Sequence, residues 1–277
     1  MVDRLNNSTG VLGALKYLQS STRDLAETDK RISSGLRVNS PRDDVTAYHT
    51  AAIMKAQGSS LNAVTLSLGR AESISDTAIG AAEQISKLLI QMQDSVVAAM
   101  NEDLTDDQRQ AYMTKFAGQK KQIEVFVHNA SFDDSNILDG SKPNGVSFIA
   151  DSDANVTLTL AGRNFLPGIG IVTLEDDNDL HTPQNAAETK KELDQSIKNV
   201  GDQLAAMAGE RKRIEAQMGF VSKLADALAA GVGRMVDTDL AAESALIQAL
   251  QVKQELSAHA VGIANSAPET LLSLFRN

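Results

Sequence analysis

The strongest constraint in this chain is a spacing. Leu61, Val64, Leu68, Ala71, Ser75, Ala78, Ala82, Ile85, Leu89, Met92, Val96 and Ala99 follow one another at strictly alternating steps of three and four. That rhythm holds a narrow stripe on one side of an α-helix. It returns in Leu193, Ile197, Val200, Leu204, Met207, Arg211, Ile214, Met218, Val221, Ala225, Leu228, Val232 and Met235, where Arg211 is the lone polar member. A helix over 44–100 would be roughly 85 Å long. Helices of that length cannot hide a stripe inside a small globule, so they pair in bundles or coiled coils.

The remaining segments fit around these two. Residues 9–36 form a shorter seam through Val11, Leu15, Leu18, Leu25, Ile32 and Leu36, with polar defects at Thr22 and Asp29. Gly35 and Pro41 disfavour continuation and predict a linker around 33–43. Thr105 and Gln108 have the spacing of a capping box, opening a third helix to about Asn129 with Tyr112, Phe116, Ile123 and Phe126 on one side. Residues 141–184 change character. Asn144-Gly145 and other glycine and proline pairs punctuate short β-prone runs, of which Val156–Leu160 alternates and Ile169–Leu174 is β-branched. A last helix is expected over about 238–265, carrying Leu240, Leu246, Ile247, Leu250, Leu256, Val261 and Ile263. Beyond it come Pro268 and an apolar tail of Leu271, Leu272, Leu274 and Phe275, then Arg276. The predicted fold is mainly α, a long antiparallel helical bundle or coiled coil with a small β-hairpin-rich insertion.

Composition narrows the function. Cysteine is absent, which removes disulfides, thiol catalysis and zinc–thiolate sites. The net charge of −10 argues against general phosphate-backbone binding, so no nucleic-acid partner is expected. No run is long and apolar enough to span a bilayer, and the first residues do not read as a cleaved hydrophobic signal. His49, His128, His181 and His259 share no metal-binding spacing. Asp151-Ser-Asp-Ala-Asn155 matches half a calcium loop, but Val156 stands where glycine is required and Gly162 where the closing glutamate belongs. No nucleophile–base constellation is visible, so neither enzyme nor cofactor is expected.

The two ends differ in charge. Residues 1–42 hold seven basic side chains against four carboxylates, a net +3, and residues 237–277 two against five, a net −3. Such ends attract modestly, at up to about 1 kcal/mol per exposed pair. The terminal helices are thin amphipaths. They pack on their own chain, or they order only between copies; periodicity leaves both open.

At the first linker the sequence becomes specific. Arg31-Ile-Ser-Ser-Gly-Leu-Arg-Val-Asn-Ser-Pro-Arg-Asp-Asp44, which contains Gly35, Arg37, Asn39, Asp43 and Asp44, resembles the bacterial flagellin segment after the N-terminal core helix. Phe132-Asp-Asp-Ser-Asn-Ile-Leu-Asp-Gly140 resembles that family's FNG…LLDG turn. Asp237–Glu243 resembles the start of its C-terminal core helix, and Ala264–Arg276 its closing signature. Val45-Thr46-Ala47 departs from the usual Ala-Ala-Gly, which suggests a divergent form.

The resemblance implies a filament subunit for swimming motility, secreted through the flagellar type III apparatus as an unfolded chain. It implies a core helix and linker at 1–43, outer-layer helices at 44–140, the insertion at 141–184, a return helix at 185–236 and a C-terminal core helix at 237–277. The implied partners are copies of itself, other flagellins in mixed filaments, an export chaperone on the C-terminal helix, and hook-associated and cap proteins, with no membrane. A hook–filament junction protein and a secreted coiled-coil signalling protein are the alternatives.

Overall fold

The computed structural model describes residues 9–175 and 177–274, with side-chain burial for 11–175 and 177–263. Five helices and four short strands follow in order: α1 Thr9–Ser34, α2 Val45–Ala99, α3 Asp106–Asn129, β1 Ser131–Phe132, β2 Ser135–Asn136, β3 Val146–Ile149, β4 Thr157–Leu160, α4 Pro183–Val236 and α5 Leu240–Leu274. The chain divides into two compact units, Met1–Ala56 with Ala227–Asn277, and Gln57–Asp226.

In the unit 57–226, every seam residue of α2 from Leu61 to Ala99 is at most 2% exposed. Gln93 Nε2 donates to Asp194 Oδ1 at 2.9 Å, and Arg211 bonds Asp76. Advancing from 76 to 93 on α2 retreats from 211 to 194 on α4 by the same number of residues, so the two helices run antiparallel in fixed register. On α4, Leu193, Val200, Met207, Ile214 and Val221 are buried, while Ile197, Leu204 and Met218 are half-buried. Arg211 does not disrupt the seam. Its guanidinium leaves it for Asp76, Glu72 and Glu215. The hydrogen bond and charge of Asp76 hold Arg211 protonated above its ordinary range.

Thr105 caps α3 by accepting from the Gln108 amide, and the Gln108 side chain accepts from the Thr105 amide. The buried residues of α3 are Arg109, Phe116, Ile123 and Val127. Tyr112 and Phe126, expected with them, are half-buried. Arg109 is inside because its Nη1 and Nη2 each lie 2.6 Å from carbonyls at the end of α2, those of Ala99 and Asn101. Helix C-termini leave such acceptors unfilled.

Two antiparallel hairpins follow α3: β1–β2 comes just before the insertion, and β3–β4 lies within it. Asp133 and Asp134 turn the first at φ 49° and 55°, a left-handed pair that usually takes Asn-Gly. Asn136 then fixes the exit, donating to Val127 O at 2.7 Å and accepting from Leu138 N at 2.8 Å. The second hairpin is tied to both long helices. Ile149 N donates to Ser67 on α2, and Gln217 on α4 donates to Ala150 O.

The β-branched run Ile169–Leu174 is not a strand. Thr173 bonds Ser196 and Glu192 on α4 instead of a neighbouring strand, and Val172 and Leu174 are fully buried. Asp151 Oδ1, read as half a calcium loop, accepts from Val156 N within the β3–β4 connection. The final helix also differs from expectation. It continues past about 265 to Leu274, through Pro268, whose ring nitrogen removes one helical donor.

Candidate assembly surface on the terminal helices

In the unit built from the two ends, α1 and α5 lie antiparallel. Gln254 Nε2 donates to Thr22 Oγ1 at 3.1 Å, and Arg31 pairs with Glu243 at 3.5 Å. This ion pair links the net-positive N-terminal segment to the net-negative C-terminal one. Among the described side chains, the buried residues on α1 are Ser21 and Thr28, and those on α5 are Glu243 and Leu250. Each couple is seven apart, so each lies on one helix face. Small side chains on α1 let the helices approach. Thr28 satisfies its hydroxyl on Asp24 O, whereas Ser21 Oγ and Glu243 Oε2 are buried without a hydrogen-bond partner.

The expected interaction residues divide accordingly. Among those with described side chains, only Leu250 is buried within its own chain. Val11, Leu18, Leu25, Ile32, Leu36, Ile247 and Val261 are half-buried, and Leu15, Leu240, Leu256 and Ile263 are exposed. The side chains of Leu271, Leu272, Leu274 and Arg276 lie outside the described residues. Leu12 and Tyr17 add exposed apolar surface on α1, as do Leu246 and Val252 on α5. Between the helices, Ala14, Tyr17, Leu256 and Ala260 help line an open groove of about 420 Å³.

The linker is built by backbone geometry and one carboxylate. Gly35 ends α1 at φ 69°, the left-handed position glycine fills without strain. Leu36 bridges Asp237, Arg37 N and Val38 N both donate to Val236 O, and Thr238 N donates to Gly35 O. Arg37 Nη2 reaches Met235 O at 2.6 Å. Asp43 Oδ2 accepts from Asn39 N, Ser40 N and Ser40 Oγ. The Ser40 hydroxyl chiefly holds the Asp43 carboxyl below its ordinary range, against slight desolvation and with help from the Ser40 and Asn39 amides and Lys30. Asp44 caps α2 by accepting from Thr46 N and Ala47 N, and Asp239 caps α5 in the same way.

Sequence reasoning missed Val38, which is 3% exposed in a small core with Ala51, Val232 and Val236. Its only signal was an apolar residue among polar linker neighbours. It also missed Arg163, whose guanidinium is buried against Glu210 at 2.7 Å and Gln203 at 2.9 Å.

What this geometry defines is a helical subunit whose paired ends carry apolar surface outward. Residues 5–143 match the model of the bacterial flagellin N-terminal helical region, and residues 191–275 that of the C-terminal helical region. The chain is 37% identical over 276 residues to flagellin FljJ of Caulobacter vibrioides, covering 98% of each. It is 29% identical over 294 residues to a flagellin of Brucella melitensis, covering both chains completely. Its fold resembles that of a flagellar hook-associated protein from Vibrio parahaemolyticus, with a TM-score of 0.56 at 15% identity over 70% of this chain and all of that one.

The chain belongs to the bacterial flagellin family. It is a structural subunit of the flagellar filament, in a family that is structural and not enzymatic. The filament is extracellular, and among the described residues no helix is long and apolar enough to cross a membrane.

Proposed function

We propose that this subunit polymerises through the outward faces of α1 and α5, and that the terminal helices use each other only as a scaffold. One observation carries this reading. The α1–α5 contact is made by Ser21, Thr28, Glu243 and Leu250, while Leu12, Leu15, Tyr17, Leu246, Val252 and Leu256 face solvent. Apolar surface of this extent on a helix pair is stabilised when neighbouring copies cover it. The helices at 1–43 and 237–277 then form the filament core, and residues 44–236, with the insertion at 141–184, its outer layer.

Mixed filaments with other flagellins fit the same surface. Caulobacter vibrioides alone has five flagellins that are 34–37% identical to this chain over nearly its whole length. The exposed leucines of α5 also need cover before assembly, which suits an export chaperone on that helix, type III export as an unfolded chain, and growth beneath cap and hook-associated proteins. A junction role is less well supported, because the full-length relatives are described as flagellins.

Leu256→Asp tests the proposal. Leu256 is 64% exposed, so the substitution leaves the folded subunit intact. It places an unpaired charge in the buried seam of the polymer, at a cost of several kcal/mol. The expected result is an unchanged circular dichroism spectrum and melting curve with no filaments by electron microscopy after seeding. Filaments of normal length and yield would sink the reading. Leu250→Asp is a poorer probe, because Leu250 is buried in the subunit itself.

A further inference from the structure

Asn144-Gly145 is the one Asn–Gly pair in the sequence, and the assembly reading makes no use of it. Asn144 is exposed. Gly145 N donates to Lys142 O at 2.9 Å, closing a turn over Pro143 and Asn144, and Gly145 sits at φ 74°. The turn is held tightly from behind. A Cβ at Gly145 would lie 2.1 Å from Leu160 O, and one at Gly162 would lie 1.7 Å from Lys142 O. β3 starts at the next residue, with Val146 opposite Leu160.

We propose that Asn144 is a spontaneous deamidation site gated by folding: the Lys142–Gly145 turn and the Gly162 backbone behind it keep it closed, and unfolding of this segment opens it.

The chemistry needs only the chain and water. The Gly145 amide nitrogen loses its proton and attacks Asn144 Cγ. A nitrogen–carbon bond forms, and the side-chain nitrogen leaves as ammonia, giving a five-membered succinimide. Water then opens the ring at one of its two carbonyls. Breaking the bond from Cγ to nitrogen gives aspartate with the original main chain. Breaking the bond from the Asn144 carbonyl carbon to nitrogen routes the main chain through the side chain as isoaspartate. Glycine at the following position offers no side chain to hinder the attack.

Folding opposes the first step. The attacking nitrogen is engaged with Lys142 O, and the peptide must rotate out of its turn to reach Cγ. The backbones of Leu160 and Gly162 crowd this turn so closely that a Cβ at Gly145 or Gly162 would clash, and that crowding opposes the rotation. Reaction in the folded subunit therefore follows the population in which the hairpin has opened. Isoaspartate adds one main-chain atom immediately before β3, where Gly145 is already against Leu160 O. Chains that age while unfolded thus lose the β3–β4 hairpin on refolding, which makes Asn144 a record of time spent unfolded.

The test incubates the full chain at mildly alkaline pH in buffer and in concentrated urea. A proteolytic peptide spanning residues 144–145 is followed by mass spectrometry and isoaspartyl labelling. The expected rate in urea is at least about tenfold that in buffer, equivalent to a local opening free energy of only about 1.4 kcal/mol. Asn144→Gln should abolish the product in urea, because its longer side chain would close a less favourable six-membered ring. Gly162→Ala should raise the rate in buffer towards that in urea while the helical circular dichroism is kept. Equal rates in buffer and urea overturn the proposal whatever the variants do, as does deamidation in urea confined to other asparagines.

Discussion

Along α2 the seam from Leu61 to Ala99 points inward without exception, and Leu193, Val200, Met207, Ile214 and Val221 of α4 are buried in the same unit. Along α1 the same kind of spacing is turned outward. Leu15 is 41% exposed and Val11, Leu18 and Leu25 are half-buried, while the residues truly inside are Ser21 and Thr28. One helix pair is closed by large apolar side chains within the subunit. The other buries one large apolar side chain, Leu250, beside the small and polar Ser21, Thr28 and Glu243, and leaves its remaining described leucines half-buried or exposed. A heptad pattern therefore reports where a stripe lies, but not which molecule covers it.

Leu89→Ala should produce the largest effect. Leu89 is fully buried in the long-helix unit, and truncation there leaves a cavity costing about 3 kcal/mol. Leu15→Ala, the same chemical change on α1, should stay within about 0.5 kcal/mol for the unassembled subunit. Urea denaturation followed by helical circular dichroism separates the two. Equal losses would mean that the terminal seam is also an internal one, and the contrast between the pairs would fail.

The same contrast explains what could be read in advance. The α2 seam was legible in full because burial there depends on periodicity alone. The Thr105 cap was legible because both partners lie within one turn. Arg163 and Glu210 are far apart in sequence, and a buried ion pair between a loop and a helix leaves no local trace. Ile169–Leu174 has strand-forming composition, but its backbone partners belong to α4, and tertiary contacts override β-propensity. On the terminal helices, the exposed leucines were found as a stripe, whereas Ser21, Thr28 and Glu243 were not. Polar residues in a contact carry no hydrophobic signal.

Ser21→Ala sharpens the comparison by a smaller amount. The Ser21 hydroxyl is fully buried in the terminal unit with no hydrogen-bond partner, so it loses hydration without compensation. Alanine removes that cost and is the better helix former. The α1–α5 pair should gain about 1 kcal/mol, read as slower amide exchange along α1. Thr28→Ala is the control, since Thr28 already bonds Asp24 O, and its gain should be smaller. Faster exchange in Ser21→Ala would show that the hydroxyl supports the pair.

The smallest expected effect lies at the linker, where polar bonds rather than a seam fix the chain. Asp43 accepts from Asn39 N at 3.0 Å, Ser40 N at 2.8 Å and Ser40 Oγ at 3.0 Å, and its carboxyl is held below the ordinary range, foremost by the Ser40 hydroxyl. A carboxyl depressed in the folded state stabilises fully above its unfolded pKa, and the contribution fades as pH falls through the folded value. Acid should therefore loosen the 39–43 turn while the apolar α2–α4 seam keeps its protection. Carboxyl chemical shifts should titrate Asp43 below the value it shows in the unfolded chain. The amides of Asn39 and Ser40 should exchange faster over the same acid range, once corrected for intrinsic rates, and Ser40→Ala should move the Asp43 titration upward. A titration unchanged on unfolding, or unmoved by Ser40→Ala, would mean that the serine hydroxyl does not hold this turn.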